Sequence, residues 1–196
     1  MHKRVVLCDF DGTLIKGDSL FMFIKYAKGK MRYFIGLFFL VPLYFLGVLH
    51  IIKRQKLKEI TLSYFFKGIT LEEFNKTSTN FVEVLSKRSN VDLLEKLSKY
   101  KNEGYDIYIV SASIDNWIRP WAHLHGIINV VSTQLEFKNE VFTGNFKTLN
   151  CNGIEKVKRV EELLGNRNEL YIISFGDSKG DEPMFKYSNE FYKIQL

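Results

Sequence analysis

At 196 residues the chain is long enough to bury a full core, and a size of about 100–200 residues per domain predicts one domain with room for an inserted subdomain. Hydrophobic residues make up 46% and charged residues 26%, the balance of a folded globular protein, which argues against disorder. Cys8 and Cys151 are the only cysteines, too few for a disulfide framework or a cysteine-based zinc site, so a reducing, cytoplasmic setting is expected.

The net charge of +6 is unevenly spread: Lys16 to Lys67 hold ten Lys/Arg against only Asp18 and Glu59, which leaves the rest of the chain close to neutral. A basic block of this kind favours anionic partners, whether phosphorylated substrates, anionic lipid or nucleic acid, although a solvated helix surface gives the same pattern.

Arg4-Val5-Val6-Leu7-Cys8 is a short β-branched, apolar run, which reads as a buried parallel strand. The basic stretch Met1-His2-Lys3-Arg4 before it meets no small-residue cleavage pattern, so no secretory leader is expected. Asp9-Phe10-Asp11-Gly12-Thr13 follows as a polar turn. From Gly17 to about Lys87 the pattern is helical with no clear strand, which predicts an inserted helical cap at 17–87 between core segments 1–16 and 88–196. Beyond it, helical patterns at Val91–Glu103, Ile114–His125 and Gly153–Leu164 alternate with strand-like runs at Tyr105–Val110, Asn129–Ser132 and Glu169–Phe175. Phe191–Leu196 is expected to add an edge strand, and Thr133–Phe146 reads as a β-hairpin turning at Lys138-Asn139-Glu140. The alternation predicts an α/β fold: a doubly wound, Rossmann-like parallel sheet with an all-helical cap and a small hairpin.

Tyr33 to Ile52 is a stretch of twenty residues without a formal charge. That meets the length of about 20 residues for a transmembrane helix. Pro42 at its centre, Gly36 and Gly47 beside it, and basic residues at both ends argue against a span. One crossing also separates Asp9 from every later polar motif. Helices packed within the cap are expected, with a cap helix lying on a membrane surface as the alternative.

Four polar groups follow predicted strands or open helices. Asp9 and Asp11, two apart at a strand end, reach the same small volume and suit metal-assisted phosphoryl transfer with one nucleophile and one acid/base. Ser111-Ala112-Ser113 follows the strand ending at Val110, where a hydroxyl can hold phosphate oxygens. Ser113 reads equally well as an N-cap for the next helix. Lys156 lies in the opening turn of a helix, an unfavourable place for a cation that asks for an anionic partner. Gly176-Asp177-Ser178-Lys179-Gly180-Asp181 presents two carboxylates in a Gly-containing loop, which suits a hard cation such as Mg²⁺. Each group alone reads as well as a surface turn or cap; the ordered set of four does not.

That order, Asp-x-Asp-Gly-Thr, then Ser, then Lys, then Gly-Asp-x-x-x-Asp, resembles the haloacid dehalogenase-like phosphatase superfamily, and the position of the insertion resembles the phosphoserine phosphatase-like branch. The resemblance covers roughly residues 1–16 and 88–196. It implies that Asp9 attacks phosphorus and that Asp11 serves as acid and then base. Ser111, Ala112, Thr13 and Lys156 would bind the phosphoryl group. Mg²⁺ would be held by Asp9, the Asp11 backbone carbonyl and Asp177, with Asp181, Gly12 and Gly176 in support.

Phosphoserine phosphatases usually place two glycines where this chain has Ala112 and Ser113, and a Glu that grips the amino group where it has Asp18. Asp18 is therefore a substrate-side candidate, and phosphoserine itself is disfavoured. The expected activity is hydrolysis of a small phosphorylated substrate. The alternatives are a membrane-surface phospholipid head-group phosphatase of the phosphatidylglycerophosphate type, which would rest on anionic membrane through the cap, and a non-catalytic module binding anions or nucleic acid. Nucleic acid is the weaker choice, because a binding role does not need both carboxylates of Asp9 and Asp11.

Overall fold

The computed structural model describes residues 2–195, so Leu196 of the expected edge strand lies outside the described residues. Strand β1 (Lys3–Cys8) forms where expected, and its residues Val5 to Cys8 are all fully buried. A helical insertion follows: α1 (Ser19–Val48), α2 (Arg54–Phe66) and α3 (Leu71–Ser86). The alternation then runs α4 (Val91–Asn102), β2 (Asp106–Ile114), α5 (Asp115–Leu124) and β3 (Asn129–Thr133). A hairpin of β4 (Leu135–Lys138) and β5 (Val141–Phe146) precedes α6 (Ile154–Leu164), β6 (Leu170–Gly176), α7 (Glu182–Tyr187) and β7 (Glu190–Lys193).

The five-stranded sheet has the order β3-β2-β1-β6-β7 and all of its pairings are parallel. Alternate residues of β1 face opposite layers, as the strand period requires. Val6 and Cys8 join the core shared with α4, α5 and the insertion, while Val5 and Leu7 pack with Val160 of α6 and Met184 of α7. Chain order reverses at β1, which has β2 on one side and β6 on the other. In open α/β sheets, ligands bind in the crevice outside the carboxyl ends of the strands at such a switch point.

The insertion is fastened at its root and through its core. The chain leaves and returns side by side: Lys16 N–H donates to Arg88 C=O (2.8 Å), and Asn90 N–H to Leu14 C=O (2.8 Å). Phe23 of α1 stacks on Trp117 of α5 at 4.6 Å and also meets Phe66, Phe74 and Phe81. The hairpin joins the insertion as well, since Gly68 N–H donates to Phe142 C=O (3.0 Å) and Phe142 N–H to Ile69 C=O (2.9 Å).

Two expectations are corrected. Tyr33 to Ile52 packs on the rest of the insertion through one face only. Helix α1 breaks at Gly29 (φ 76°, ψ 165°), continues through Pro42, and buries only Gly36 and Leu40 of that apolar stretch. Gly36 is buried because α2 approaches closely, and an added Cβ there would lie 2.2 Å from Phe65 Cζ. Among the described residues the face of α1 away from α2 has no partner, and its apolar side chains stay exposed. Ser113 does not cap α5 either. Its ladder with β3 carries β2 on to Ile114, which is paired with Thr133, and Ile114 occupies the N-cap position without a side-chain bond.

Candidate active site

Asp9 is the first residue beyond β1, and its N–H donates to Phe175 C=O (2.9 Å), so pairing with β6 fixes its backbone. Gly176 and Asp177 follow on the neighbouring strand. The turn after Asp9 closes through Gly12 N–H to Ile15 C=O (2.8 Å) and Leu14 N–H to Phe10 C=O (2.9 Å). Gly12 has φ +72°, and a Cβ there would lie 2.3 Å from Asp177 Oδ2, so this position tolerates only glycine without moving Asp177. Thr13 Oγ1 donates to Asp177 Oδ1 at 3.4 Å, which links the first and last motifs directly.

Lys156 sits in the first turn of α6 and is only 1% exposed. Its Nζ lies 2.7 Å from Asp9 Oδ1 and 2.6 Å from Asp181 Oδ1, which supplies the anionic partners its unfavourable place on the helix demands. Burial opposes its charge, but Asp9 and Asp181 outweigh that and hold the ammonium above its ordinary pKa. The other oxygen of Asp181 accepts from Asp177 N–H (3.2 Å), Ser178 N–H (3.0 Å) and Ser178 Oγ (2.9 Å). Asp181 is thus a buried bracket that ties Lys156 to the loop carrying Asp177.

Burial raises the Asp9 carboxyl against the pull of Lys156, and Asp181 adds to the rise. Asp177 is raised by burial and then by Asp181. Asp9, Asp177 and Asp181 each bring a carboxylate oxygen to within 4.8 Å of the others. Hard oxygen donors set this close, with Lys156 in contact with two of them, fit Mg²⁺. Asp181 is held by Lys156 and Ser178, and Asp9 by Lys156 through one oxygen.

Asp11 is held by a different set of groups. Its Oδ1 accepts from Ser19 N–H (3.0 Å), and its Oδ2 accepts from the Ser113 hydroxyl. Ser113 Oγ lies 2.9 Å from Ser19 Oγ, which in turn accepts from Trp117 Nε1 (3.0 Å). Trp117 can only donate, and where Ser113 gives its one hydrogen to Asp11, Ser19 is left to donate to Ser113. Burial is the main cause of a rise in the Asp11 pKa to about 7; Asp18 adds to it and the Ser113 and Ser19 bonds oppose it.

Ser111 is buried, and its Oγ accepts from Ser113 N–H (3.1 Å). Asp18 is exposed and its Oδ1 caps α1, accepting from Leu20 N–H (2.9 Å) and Phe21 N–H (3.3 Å). Gly176 passes close behind Asp181, where a Cβ would come within 2.7 Å of the Asp181 side chain.

Sequence reasoning missed three side chains: Ser19, Trp117 as a hydrogen-bond donor, and Lys58. Lys58 belongs to α2, and its Nζ donates to Ala112 C=O at 3.2 Å. That bond, between Ser111 and Ser113, turns it from the insertion toward the site; burial lowers its pKa, while Asp11, Asp18 and Asp9 act to raise it. Nothing in its local sequence separates it from the other lysines of the basic block.

The fold and site define a Rossmann-like hydrolase with its acidic cluster at the switch point. The profile of haloacid dehalogenase-like hydrolases matches residues 6–186, and the chain belongs to that family. It is 29% identical over 188 residues to protein CicA of Caulobacter vibrioides, covering 95% of this chain and 83% of the relative. Among solved structures it is similar in fold to a protein of unknown function from Bordetella pertussis Tohama I (TM-score 0.86, 18% identity, 98% of this chain and 90% of the other). It also shares the fold of a phosphoserine phosphatase captured as an analogue of its phospho-aspartyl intermediate (TM-score 0.68, 18% identity, 100% and 88%).

Proposed function

We propose that this hydrolase is a Mg²⁺-dependent phosphomonoesterase that works through an aspartyl-phosphate on Asp9, with residues 17–87 forming a cap over the site. The observation that carries the reading is the buried Lys156 between Asp9 and Asp181, beside Asp177 at the sheet's switch point. A surface acidic turn has no need of such a lysine. Phosphoryl transfer, in contrast, needs alignment and neutralised charge more than covalent chemistry from the protein.

The Asp9 carboxylate attacks phosphorus, and the bond to the ester oxygen breaks. Asp11, held by Ser113 and Ser19, gives its proton to the departing oxygen. A water then loses a proton to Asp11 and attacks the phosphorus of the aspartyl-phosphate, which releases inorganic phosphate and restores the Asp9 carboxylate. Ser111, Ala112, Thr13 and Lys156 hold the phosphoryl oxygens, and Lys156 offsets the charge on Asp9. Asp9, the Asp11 carbonyl and Asp177 would hold Mg²⁺, which supplies charge neutralisation on the phosphoryl group when bound.

The substrate is a small phosphate ester other than phosphoserine. Ser113 donates to Asp11 from a place where phosphoserine phosphatases carry glycine, and the Asp18 carboxylate is engaged in capping α1. Asp18 remains the substrate-side candidate through its second oxygen.

Asp9→Asn tests the reading. The variant is expected to lose Mg²⁺-dependent hydrolysis of an aryl phosphate while keeping its circular dichroism and unfolding midpoint. Undiminished turnover by this variant removes Asp9 as the nucleophile.

A further inference from the structure

Phe34, Phe38, Val41, Phe45 and Val48 succeed one another at spacings of four and three, which sets them in one stripe along α1. All five are exposed, between 58% and 75%. Met31, Ile35, Phe39, Leu49 and Ile51 widen the stripe and are exposed as well. Ten such side chains, each about half to three-quarters exposed, leave roughly 1,000 Å² of apolar surface uncovered. That exceeds the ~300–600 Å² of the largest patch on a typical monomer. A groove of about 500 Å³ between Tyr33, Leu37, Tyr44, Phe45 and Phe21 opens alongside the stripe.

The charges around this face are of one sign. Lys28, Lys30 and Arg32 precede it and Lys53, Arg54 and Lys56 follow it, and no acidic residue occurs between Asp18 and Glu59. The face does not belong to a span. After His50 the chain turns back, and α2 packs along the other side of α1, with Tyr44 Oη 3.0 Å from Thr61 Oγ1 and Gly47 against Leu57. A crossing would drag the charged helix α2 into the hydrocarbon with it and part Asp9 from Lys156.

We propose that this face of α1 docks the protein on an anionic phospholipid bilayer, with the phenylalanine stripe entering the acyl boundary and the two lysine–arginine clusters meeting the headgroups. A helix with one broad apolar face and a cationic rim lies in the interface plane, held by buried area and by attraction to anionic lipid. Its first turn carries Ser19, which contacts Asp11, so the docked helix leads from the membrane surface to the acidic cluster. The docking does not depend on the hydrolytic reading.

Sedimentation with vesicles tests it, using the full chain and phosphatidylcholine vesicles with or without about a third phosphatidylglycerol. The wild type should sediment with the anionic vesicles, at least tenfold less with the neutral ones, and should be released by high salt. Phe34→Glu/Phe38→Glu should lose at least tenfold in binding while its circular dichroism and its hydrolysis of a soluble aryl phosphate stay unchanged. Equal sedimentation of wild type and double variant overturns the proposal, as does failure of the wild type to bind anionic vesicles. Light scattering that finds a dimer dispersed by the same substitutions, without lipid binding, assigns the face to a second copy and overturns it too. Vesicle-bound protein that resists high-salt and alkaline washing would overturn surface docking in favour of insertion.

Discussion

Lys156 Nζ lies 2.7 Å from Asp9 Oδ1, with the lysine itself buried, and the same nitrogen lies 2.6 Å from Asp181 on the loop after β6. One buried cation thus holds the carboxyl ends of β1 and β6 together. Removing it leaves two carboxylates buried face to face. Lys156→Met is expected to lose hydrolysis and, without Mg²⁺, to lose about 3–5 kcal/mol of stability, the cost of breaking a buried ion pair by deleting one partner. Urea unfolding followed by tryptophan fluorescence measures the second effect; a loss below about 1 kcal/mol would show the pair to be an ordinary surface bridge.

If the cluster of Asp9, Asp177 and Asp181 holds Mg²⁺ as proposed, stability should depend on the divalent cation. Ligand bound only by the folded state stabilises it by about 2.7 kcal/mol at a hundredfold excess over the dissociation constant. Mg²⁺ should therefore raise the unfolding midpoint of the wild type, EDTA should reverse the rise, and Asp177→Asn should abolish it. A thermal shift that persists in Asp177→Asn would place the cation elsewhere.

Gly12 has a positive φ and backs directly onto the Asp177 carboxylate. Gly12→Ala puts a methyl into space that Asp177 occupies, besides straining the backbone by roughly 1 kcal/mol or more. The expected outcome is a loss of activity of at least tenfold that exceeds the loss of stability, with a weaker response to Mg²⁺. Wild-type kinetics in this variant would mean that Asp177 has no fixed place in the reaction.

Ser113 donates to Asp11 at the end of a chain that begins at the Trp117 indole. Ser113→Ala takes away the hydrogen bond that orients the acid and leaves Asp9 and Lys156 untouched. Turnover of an ester with a poor leaving group should fall by about 10–100-fold, within the usual range for acid–base assistance, while an aryl phosphate with a good leaving group should suffer less. Equal losses on both esters would count against Asp11 as the proton donor.

Lys58 reaches from α2 to Ala112 C=O, beside the acidic cluster. Lys58→Gln should raise KM more than it lowers kcat, by roughly 10–100-fold in kcat/KM, as for loss of one charged hydrogen bond to substrate. Lys58→Arg should recover part of it. Steady-state kinetics at fixed Mg²⁺ decides between this and a merely structural lysine, whose loss would alter stability and leave KM alone.

The sequence by itself determined the parallel sheet, its hairpin and the order of the polar motifs. Short continuous apolar runs such as Val5 to Cys8 and polar turns such as Asp9 to Thr13 are written by local chemistry, and each motif follows its strand or opens its helix within a few residues. It also flagged Lys156, because a cation in a helix's first turn contradicts the helix dipole unless a distant anion answers it.

What the sequence left open were relationships between residues far apart in the chain. Lys58 meets Ala112 across 54 positions, and Trp117 meets Ser19 across 98. Neither pairing has a local signal, since a lysine on a basic helix and a tryptophan on an apolar face look the same wherever they point. The apolar stretch from Tyr33 to Ile52 was equally undetermined. Hydropathy records how strongly a segment avoids water but not which surface covers it, and only the packing of α2 along one side of α1 leaves the other side bare.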